Sequence, residues 1–337
     1  MSADPSIDDR RAEFARNAAL ESLLGDLNAD MAWAEAQAIK RYQRQQPRLP
    51  SVFIMGPPRS GSTLFMQWLA STGVFSYPTN LLSRFWRAPI TGARIQKLLT
   101  DPQYDFRGEL QDFQCSTDFQ SNHGKTIGAL SPNEFWYFWR RFMPGNDYRP
   151  RAELERMVDA NTLRAELTGM IDVLGRPFAT KGMIFNENIP FMADLLPNAI
   201  FVWIRRRPEF NAQSLLKARQ RQYGDMSKWY SFRIANYVEL KDLPPVQSVC
   251  GQIASIHRSI RSGFDQLPSS RTLTVDYEKF CQAPHSTYEA IVKYLKARGI
   301  ESPPYDGPRR FEERDSWRLD WTTPDEVRAA YNLFADS

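Results

Sequence analysis

The stretch from Phe53 to Phe65, FIMGPPRSGSTLF, contains the residue types of an anion-binding loop. A short apolar run precedes the loop and a segment with helical periodicity follows it, which predicts a strand, a turn and a helix. Such a turn directs backbone N–H groups at one point, where the helix dipole adds partial positive charge. Gly56 and Gly61 have the spacing of a nucleotide phosphate-binding loop, but Ser62 stands where that loop has its lysine. We therefore predict an anion site whose cation is Arg59, because a guanidinium can hold two oxygens of a phosphate or sulfate.

A second basic segment follows another apolar run further along the chain. The run NAIFVWIR at residues 198–205 continues into RRPEFNAQS, which carries Arg206 and, eight residues later, Ser214. An arginine at the end of a strand and a serine on the next helix can hold a compact dianion such as a 3′-phosphate. ATP lacks that group. The alternative interpretation is a solvated basic turn after a buried strand.

Together, PRSGST at residues 58–63 and the Arg206–Ser214 pair resemble the PAPS-dependent sulfotransferase family of bacterial type, where PAPS is 3′-phosphoadenosine 5′-phosphosulfate. The resemblance implies a P-loop NTPase-like fold and sulfuryl transfer from PAPS, which leaves the product PAP and requires no metal. The segment TVDYEKFCQAP is similar to a further family element and implies that Tyr277 lies near the adenine. The implied cofactor-binding residues are Arg59, Ser60, Gly61, Ser62 and Thr63 for the phosphosulfate and Arg206 and Ser214 for the 3′-phosphate.

Sulfuryl transfer also needs a base for the acceptor proton, since in-line transfer through a loose transition state leaves little other covalent work to the protein. Histidine is the natural choice, and the chain has three. His257 lies in a helical run and His285 follows a proline at a helix start, whereas His123 lies in the polar, glycine-flanked stretch QSNHGKTIGALSPNEFWYFW. That stretch resembles the His-Gly, Pro-x-Glu and Phe-Trp of bacterial sulfotransferases. We predict that His123 is the base, with the carboxylates of Glu187 and Glu134 as alternatives.

The segment FATKGMIF departs from the family pattern at one position. Many members have a Lys-x-His pair on the strand before the 3′-phosphate strand, but here Met183 stands at the position of the histidine after Lys181. The resemblance still implies that Lys181 stabilises the bridging oxygen of the leaving group, although a lysine at a strand end is as often a surface charge. The Arg-Lys-Gly element of eukaryotic members is not recognisable, so Arg309 and Arg310 receive no role.

The elements that must position these residues alternate between strands and helices. Short apolar runs rich in β-branched residues stand at 51–55, 178–185, 198–205 and 271–277, separated by segments with helical periodicity. This predicts an α/β fold, a three-layer P-loop-like arrangement with a central, mostly parallel sheet flanked by helices. Ligands bind such sheets at the carboxyl ends of the strands, which is where the loop after residue 55 begins.

We expect two regions in the chain, an N-terminal helical extension over residues 1–48 and a single sulfotransferase domain over 49–337. Within that domain, about 77–150 is predicted to be a substrate-binding insertion. The acceptor is expected to be a hydroxyl of a small molecule or carbohydrate. An aromatic lining would suit a flat or apolar alcohol or phenol, but helical spacing of aromatic residues is more often core than pocket. The aromatic candidates are Phe75, Tyr77, Phe85, Trp86, Trp136, Tyr137 and Trp139.

Composition narrows the setting. The formal net charge of +4 is spread along the chain, which favours small anionic ligands over nucleic acid. Three cysteines without CxxC spacing indicate neither a disulfide framework nor a zinc site. We found no signal-peptide pattern and no apolar run long enough to span a membrane, so a cytoplasmic protein is expected, and a homodimer is left open.

Two other functions stay open from the sequence. An ATP-dependent P-loop kinase would use Asp276, at the end of TLTVD, to hold magnesium, but it leaves the missing lysine and the Arg206–Ser214 pair unexplained. A non-catalytic nucleotide-binding protein would keep the cofactor residues and lack a reactive base, because a fold and a ligand do not establish turnover.

Overall fold

The computed structural model describes residues 10–43, 45–113, 121–122, 125–313 and 315–335. Its strands are β1 (Ser51–Met55), β2 (Ser121–Asn122), β3 (Lys125–Thr126), β4 (Phe178–Lys181), β5 (Ile200–Arg205) and β6 (Thr272–Asp276). Four of them form one parallel sheet in the order β4-β1-β5-β6, and β2 pairs with β3 as a short antiparallel ribbon. The predicted mostly parallel sheet is confirmed.

The helices of the described residues cover this sheet and connect its strands. They are α1 (Ala18–Ile39), α2 (Ser62–Ser71), α3 (Pro89–Thr100), α4 (Trp136–Phe142), α5 (Arg151–Met157), α6 (Ala160–Leu174), α7 (Ile189–Leu195), α8 (Pro208–Tyr223), α9 (Tyr237–Leu240), α10 (Pro245–Asp265), α11 (Tyr277–Gln282), α12 (Pro284–Lys296) and α13 (Pro324–Ala335). Several begin with proline, whose fixed φ suits the first turn. The α/β class with helices flanking the sheet is therefore confirmed.

Both faces of the sheet are buried at the two central strands, which explains why β1 and β5 are nearly continuous apolar runs. On one face, Phe53 of β1 stacks on Phe201 of β5 at 5.5 Å between ring centroids, and Trp139 of α4 packs beside them. On the other face, Phe65 and Trp68 of α2 pack against the alternate residues of the same strands. Alternation of side chains between the two faces thus builds two cores on either side of β1 and β5.

The predicted strand at residues 178–185 is shorter than expected. β4 ends at Lys181, and Met183–Phe185 forms a 3₁₀ turn. The chain leaves the extended conformation at Gly182, whose N–H still donates to the carbonyl of Ile54 at 2.9 Å. The turn points the following residues at the loop after β1.

Helix α1 packs against the start of α3 through buried polar side chains. The carboxylate of Glu35 accepts hydrogen bonds from the N–H groups of Ile90 at 2.8 Å and Thr91 at 3.0 Å, which caps α3. The amide of Asn28 donates to the carbonyl of Arg84 at 2.8 Å. These contacts hold α1 on the segment that precedes and begins α3. No helix in the described ranges combines the length and the apolar character needed to cross a membrane.

Candidate active site

The loop between β1 and α2 is held by two asparagines. The N–H of Gly56 donates to Oδ1 of Asn186 at 3.1 Å, and Nδ2 of Asn186 donates back to the carbonyl of Gly56 at 2.8 Å. On the other side, Nδ2 of Asn211 in α8 donates to the carbonyl of Pro58 at 2.8 Å. Both asparagines are buried, and sequence reasoning missed them. The signal that could have found them is an asparagine a few residues after each of two strands, Asn186 after β4 and Asn211 after β5.

The start of α2 has the geometry of an anion cradle. Gly61 caps the helix with φ of 92°, and a Cβ added there would lie 2.2 Å from the ring of Tyr277. Ser60 is buried, and its Oγ has no hydrogen-bond partner among the described residues. A buried hydroxyl without a partner at a helix N-terminus is what a bound anion would satisfy. These residues therefore fit a phosphate or sulfate group.

Arg59, Arg206 and Ser214, far apart in the sequence, lie together beside this cradle. Nε of Arg59 donates to Oγ of Ser214 at 3.2 Å. Arg206 donates from Nη1 to the carbonyl of Arg59 at 3.5 Å, and its guanidinium lies 4.9 Å from the ring centroid of Tyr277. The structure thus brings together the residues predicted for the two anionic groups and the one predicted near the adenine.

The sheet topology explains why these residues meet. From β1 the chain leads to β4 on one side, whereas from β5 it leads to β6 on the other side. The loops after β1 and β5 therefore diverge and leave a crevice at the carboxyl ends of these two strands, as at other switch points of parallel sheets. Arg59 lies on one wall of that crevice, and Arg206 and Ser214 lie on the other.

A second group of polar side chains adjoins the first turn of α2. Nζ of Lys181 donates to Oγ1 of Thr63 and to Oε1 of Glu134, each at 2.7 Å, and the indole N–H of Trp136 donates to Oε2 of Glu134. The side chain of Lys181 is 6% exposed and that of Glu134 is 35% exposed. Burial alone would raise the pKa of Glu134, but the charge and hydrogen bond of Lys181 and the bond from Trp136 outweigh it and lower this pKa. Glu134 is consequently ionised at neutral pH and open to solvent on one side.

Met183 also contacts the first turn of α2, with its sulfur 3.6 Å from Oγ of Ser62. It stands two residues after Lys181, at the position of the histidine in the family's Lys-x-His pair. A thioether cannot act as a base at neutral pH. The residue that adjoins Lys181 at this point is Glu134 rather than a histidine.

Of the other predicted bases, Glu187 points elsewhere and His123 lies outside the described residues. The carboxylate of Glu187 accepts the N–H of Ala235 at 3.1 Å, and burial raises its pKa to about 7. The adjoining cavity, of about 30 Å³, has room for about one water. Glu187 therefore accepts from the backbone at Ala235, whereas Glu134 accepts from Lys181.

Asp276, the magnesium ligand of the kinase alternative, lies on β6, which β5 separates from β1. Its carboxylate pairs with Arg205 at 2.7 Å and lies 3.6 Å from Lys279. Ion pairs on an edge strand therefore account for this residue.

The aromatic candidates divide between core and site. Phe75, Trp86 and Trp139 are buried in the hydrophobic core, and for Trp139 this agrees with the interpretation of helical spacing as core. Trp136 is partly buried and contacts Glu134, and Tyr137 donates to Glu21 of α1. Trp136 is thus an aromatic candidate that contacts the pair of Glu134 and Lys181.

Comparison with known proteins shows which family this chain resembles. The family model described as "Sulfotransferase family" matches residues 50–301. The solved sulfotransferase STF9 from Mycobacterium avium superposes with a TM-score of 0.56 at 14% identity, covering 95% of this chain and 86% of that one. STF1 from Mycobacterium tuberculosis H37Rv gives 0.53 at 12% identity, covering 90% and 81%. At these identities the two structures support the fold alone, and a search of curated proteins returned no match.

Proposed function

Because the chain belongs to the sulfotransferase family, we propose that it transfers a sulfuryl group from PAPS to a hydroxyl of a small-molecule or carbohydrate acceptor. The observation that carries the proposal is the adjacency of two groups at α2. One is the anion cradle with Arg59, Arg206 and Ser214, and the other is the pair of Lys181 and Glu134 at Thr63. A donor-binding half and a proton-accepting half thus share one helix N-terminus.

The donor half would hold both anionic ends of PAPS. The first-turn N–H groups of α2, with Ser60, Ser62 and Thr63, suit the phosphosulfate, and Arg59 adds a guanidinium there. Arg206 and Ser214 suit the 3′-phosphate, and Tyr277 lies against both Gly61 and Arg206, where an adenosine would bind. PAPS supplies the activated sulfuryl group, and its single sulfonate charge makes arginine and backbone donors sufficient without a divalent metal.

The acceptor half would move one proton. As the acceptor oxygen bonds to sulfur and the sulfur–oxygen bond to PAP breaks, the hydroxyl proton passes to the ionised carboxylate of Glu134. Lys181, 2.7 Å from both Thr63 and Glu134, is placed to stabilise negative charge on the departing oxygen. His123 stays a prediction as an alternative base, and Glu187 is the weaker carboxylate candidate because it faces Ala235.

Titration calorimetry with PAP, and with ATP plus magnesium, tests the donor. We expect micromolar or tighter binding of PAP and much weaker binding of ATP. Arg59→Ala and Arg206→Ala should each weaken PAP binding by about tenfold or more, because each loses a charge-assisted anchor. Preference for ATP, or unchanged PAP affinity in both variants, would contradict the proposed site.

Turnover separates an enzyme from a non-catalytic nucleotide-binding protein. The measurement is release of PAP from PAPS in the presence of a panel of phenols, alcohols and sugars. An acceptor-dependent rate is expected for at least one class. Tight PAP binding without any acceptor-dependent release across the panel would favour the non-catalytic alternative.

A further inference from the structure

Asp315, in the segment before α13, is bound to the arginines that follow β5. Its Oδ1 accepts a hydrogen bond from Nη2 of Arg206 at 2.9 Å, and its Oδ2 accepts one from Nη2 of Arg207 at 2.5 Å. The side chains of Arg206 and Asp315 are each only 8% exposed, whereas that of Arg207 is 48% exposed. One carboxylate therefore bridges two guanidiniums at a nearly buried position beside the site.

The segment that carries Asp315 is held in place at both ends. We call residues 311–313 and 315–318 the C-terminal strap. The N–H of Phe311 donates to the carbonyl of Cys281 at 2.7 Å. Gln213, the neighbour of Ser214 in α8, donates to the carbonyl of Ser316 at 3.0 Å and accepts the N–H of Arg318 at 2.5 Å. The strap thus lies across the start of α8 and over Arg206.

A carboxylate that bridges two guanidiniums makes the same kind of contact as a bound phosphate, because both accept charge-assisted hydrogen bonds through two oxygens. The two therefore compete for Arg206. A phosphate dianion has the greater charge and can displace a carboxylate, whereas a ribose hydroxyl has no charge with which to do so. Since Arg206 and Asp315 are nearly buried, displacement also requires the strap to open.

On this basis we propose that Asp315 makes an autoinhibitory contact, in which its carboxylate occupies the guanidinium of Arg206 until a phosphate group at the ligand's 3′ position displaces it. The proposal rests on the proposed function, since it assumes that Arg206 binds the 3′-phosphate of PAPS. The closed strap lowers the apparent affinity for every ligand that needs Arg206, in proportion to the fraction of molecules in which the strap is open. Nucleotides without a 3′-phosphate leave the contact closed and bind without Arg206.

The first experiment compares PAP with 5′-AMP, which differs from PAP only in lacking the 3′-phosphate, by titration calorimetry on wild type and Asp315→Asn. The variant keeps the shape of the side chain and removes its charge. We expect its Kd for PAP to fall by about tenfold or more, with the Kd for 5′-AMP unchanged. Glu313→Gln is the matched control, because Glu313 lies in the same strap, 3.9 Å from Arg207, and bonds Gln282 instead of Arg206. Both of its Kd values should stay within about twofold of wild type.

The second experiment needs only the wild-type protein, so it holds even where Asp315→Asn does not fold. Tryptophan fluorescence in a stopped-flow instrument gives the observed rate of PAP association. If the strap must open first, this rate should reach a plateau as the PAP concentration rises. A rate that rises linearly over the whole concentration range would overturn the requirement for opening.

The outcomes separate this proposal from the proposed function. Wild type that binds PAP, with Asp315→Asn binding it equally or more weakly, overturns the competition and leaves the PAPS assignment standing. An equal gain in affinity for PAP and 5′-AMP overturns the claim that Asp315 competes with the 3′-phosphate. Failure of both proteins to bind PAP overturns both proposals.

Discussion

The chemical roles proposed for Glu134 and Lys181 depend on where the fold places the two side chains. Each of them is a candidate from the sequence, but nothing in the sequence indicates that the two form a pair. Their 2.7 Å contact next to Thr63 gives a carboxylate that stays ionised and an ammonium aimed at the first turn of α2. This contact makes Glu134 the first of the predicted bases to test.

Glu134→Gln should lower turnover of PAPS by about 10²-fold or more and leave the Kd for PAP within about threefold, since the change removes a base but no anion contact. Glu187→Gln is the matched control, with the same chemical change at a carboxylate that faces Ala235, and it should retain most of the activity. The measurements are kcat with a responsive acceptor and calorimetry with PAP. Loss of activity in His123→Ala together with an active Glu134→Gln would return the role to His123.

The pH dependence of kcat tests the link between Lys181 and Glu134. Burial alone raises the pKa of Glu134, and Lys181 contributes most to the net lowering below 4.5. Because the base must be unprotonated, activity is lost as pH falls through this pKa, so the acid limb of wild type should lie below pH 4.5. In Lys181→Met the limb should move to higher pH, besides a drop in rate. Lys279→Met, at an exposed lysine on α11, should leave the limb in place, and an unmoved limb in Lys181→Met would contradict the coupling.

Gly61 is required by both its conformation and its contact. In Gly61→Ala a Cβ would lie 2.2 Å from Tyr277 at φ of 92°, so Tyr277 must shift and the N–H groups of α2 must reorient. Gly73→Ala separates the two effects, because Gly73 has φ of 69° with nothing within 4 Å of an added Cβ. We expect Gly73→Ala to cost about 1 kcal/mol of unfolding free energy without affecting PAP binding, and Gly61→Ala to cost more and to abolish binding. Chemical denaturation and calorimetry check this, and normal PAP affinity in Gly61→Ala would rule out the close packing of Tyr277 on the loop.

At the scale of elements, neighbouring side chains hold the loop that we propose to bind the phosphosulfate. Asn186 follows β4 and closes two hydrogen bonds with Gly56, so it ties the loop after β1 to the adjacent strand. Asn211 does the same from α8 through Pro58. The loop is thereby held on both sides before any anion arrives, which lowers the ordering cost of binding.

Asn186→Ala should lower the unfolding free energy by about 2 kcal/mol, since it leaves a buried N–H and a buried carbonyl without partners. PAP affinity should fall several-fold because the loop loses one of its ties. Asn188→Ala is the control, as Asn188 is also buried but makes a single 3.3 Å bond to the carbonyl of Arg149. Denaturant titration and calorimetry provide the two readouts, and equal effects of the two variants on PAP binding would contradict a specific role of Asn186.

At the scale of the whole molecule, buried titratable groups make stability depend on pH. His257 of α10 accepts the indole N–H of Trp203 at 2.9 Å, and burial, with Arg205 and Arg261 nearby, lowers its pKa to about 3. The unfolded chain binds this proton near pH 6.5, so the stability from neutral His257 is present above pH 6.5 and is lost as pH falls towards 3. The slope is at most about 1.4 kcal/mol per pH unit.

His257→Gln should show a smaller loss of unfolding free energy between pH 6.5 and about 4 than wild type, because glutamine can accept the Trp203 bond without titrating. The measurement is denaturant unfolding at a series of pH values. Glu187 has the opposite effect on the pH dependence of stability, because its pKa is raised and its contribution is lost as pH rises through about 7. Glu187→Gln therefore serves as a second reference for the unfolding free energy as a function of pH. If the unfolding free energies of wild type and His257→Gln changed in parallel with pH, the lowered pKa of His257 would be contradicted.

The sequence by itself predicted the family and the sheet, which are confirmed, and it named the residues of the proposed donor half. Arg59, Gly61, Arg206 and Ser214 belong to short local patterns at the ends of strands, and the carboxyl ends of adjacent parallel strands must lie at one edge. Local hydrophobic runs likewise predicted β1, β5 and β6 nearly to the residue, while β4 ended early because Gly182 turns the chain.

Only the tertiary structure decided the contacts between segments that are distant in the chain. The pairing of Glu134 with Lys181, the clasp of Asn186 on Gly56 and the bridge from Asp315 to Arg206 each join residues from different elements. No period or motif encodes such a distance, because it results from how helices pack on the sheet. The polar side chains at these junctions are buried or half-buried, so each needs a partner, and the fold alone determines which partner is in reach.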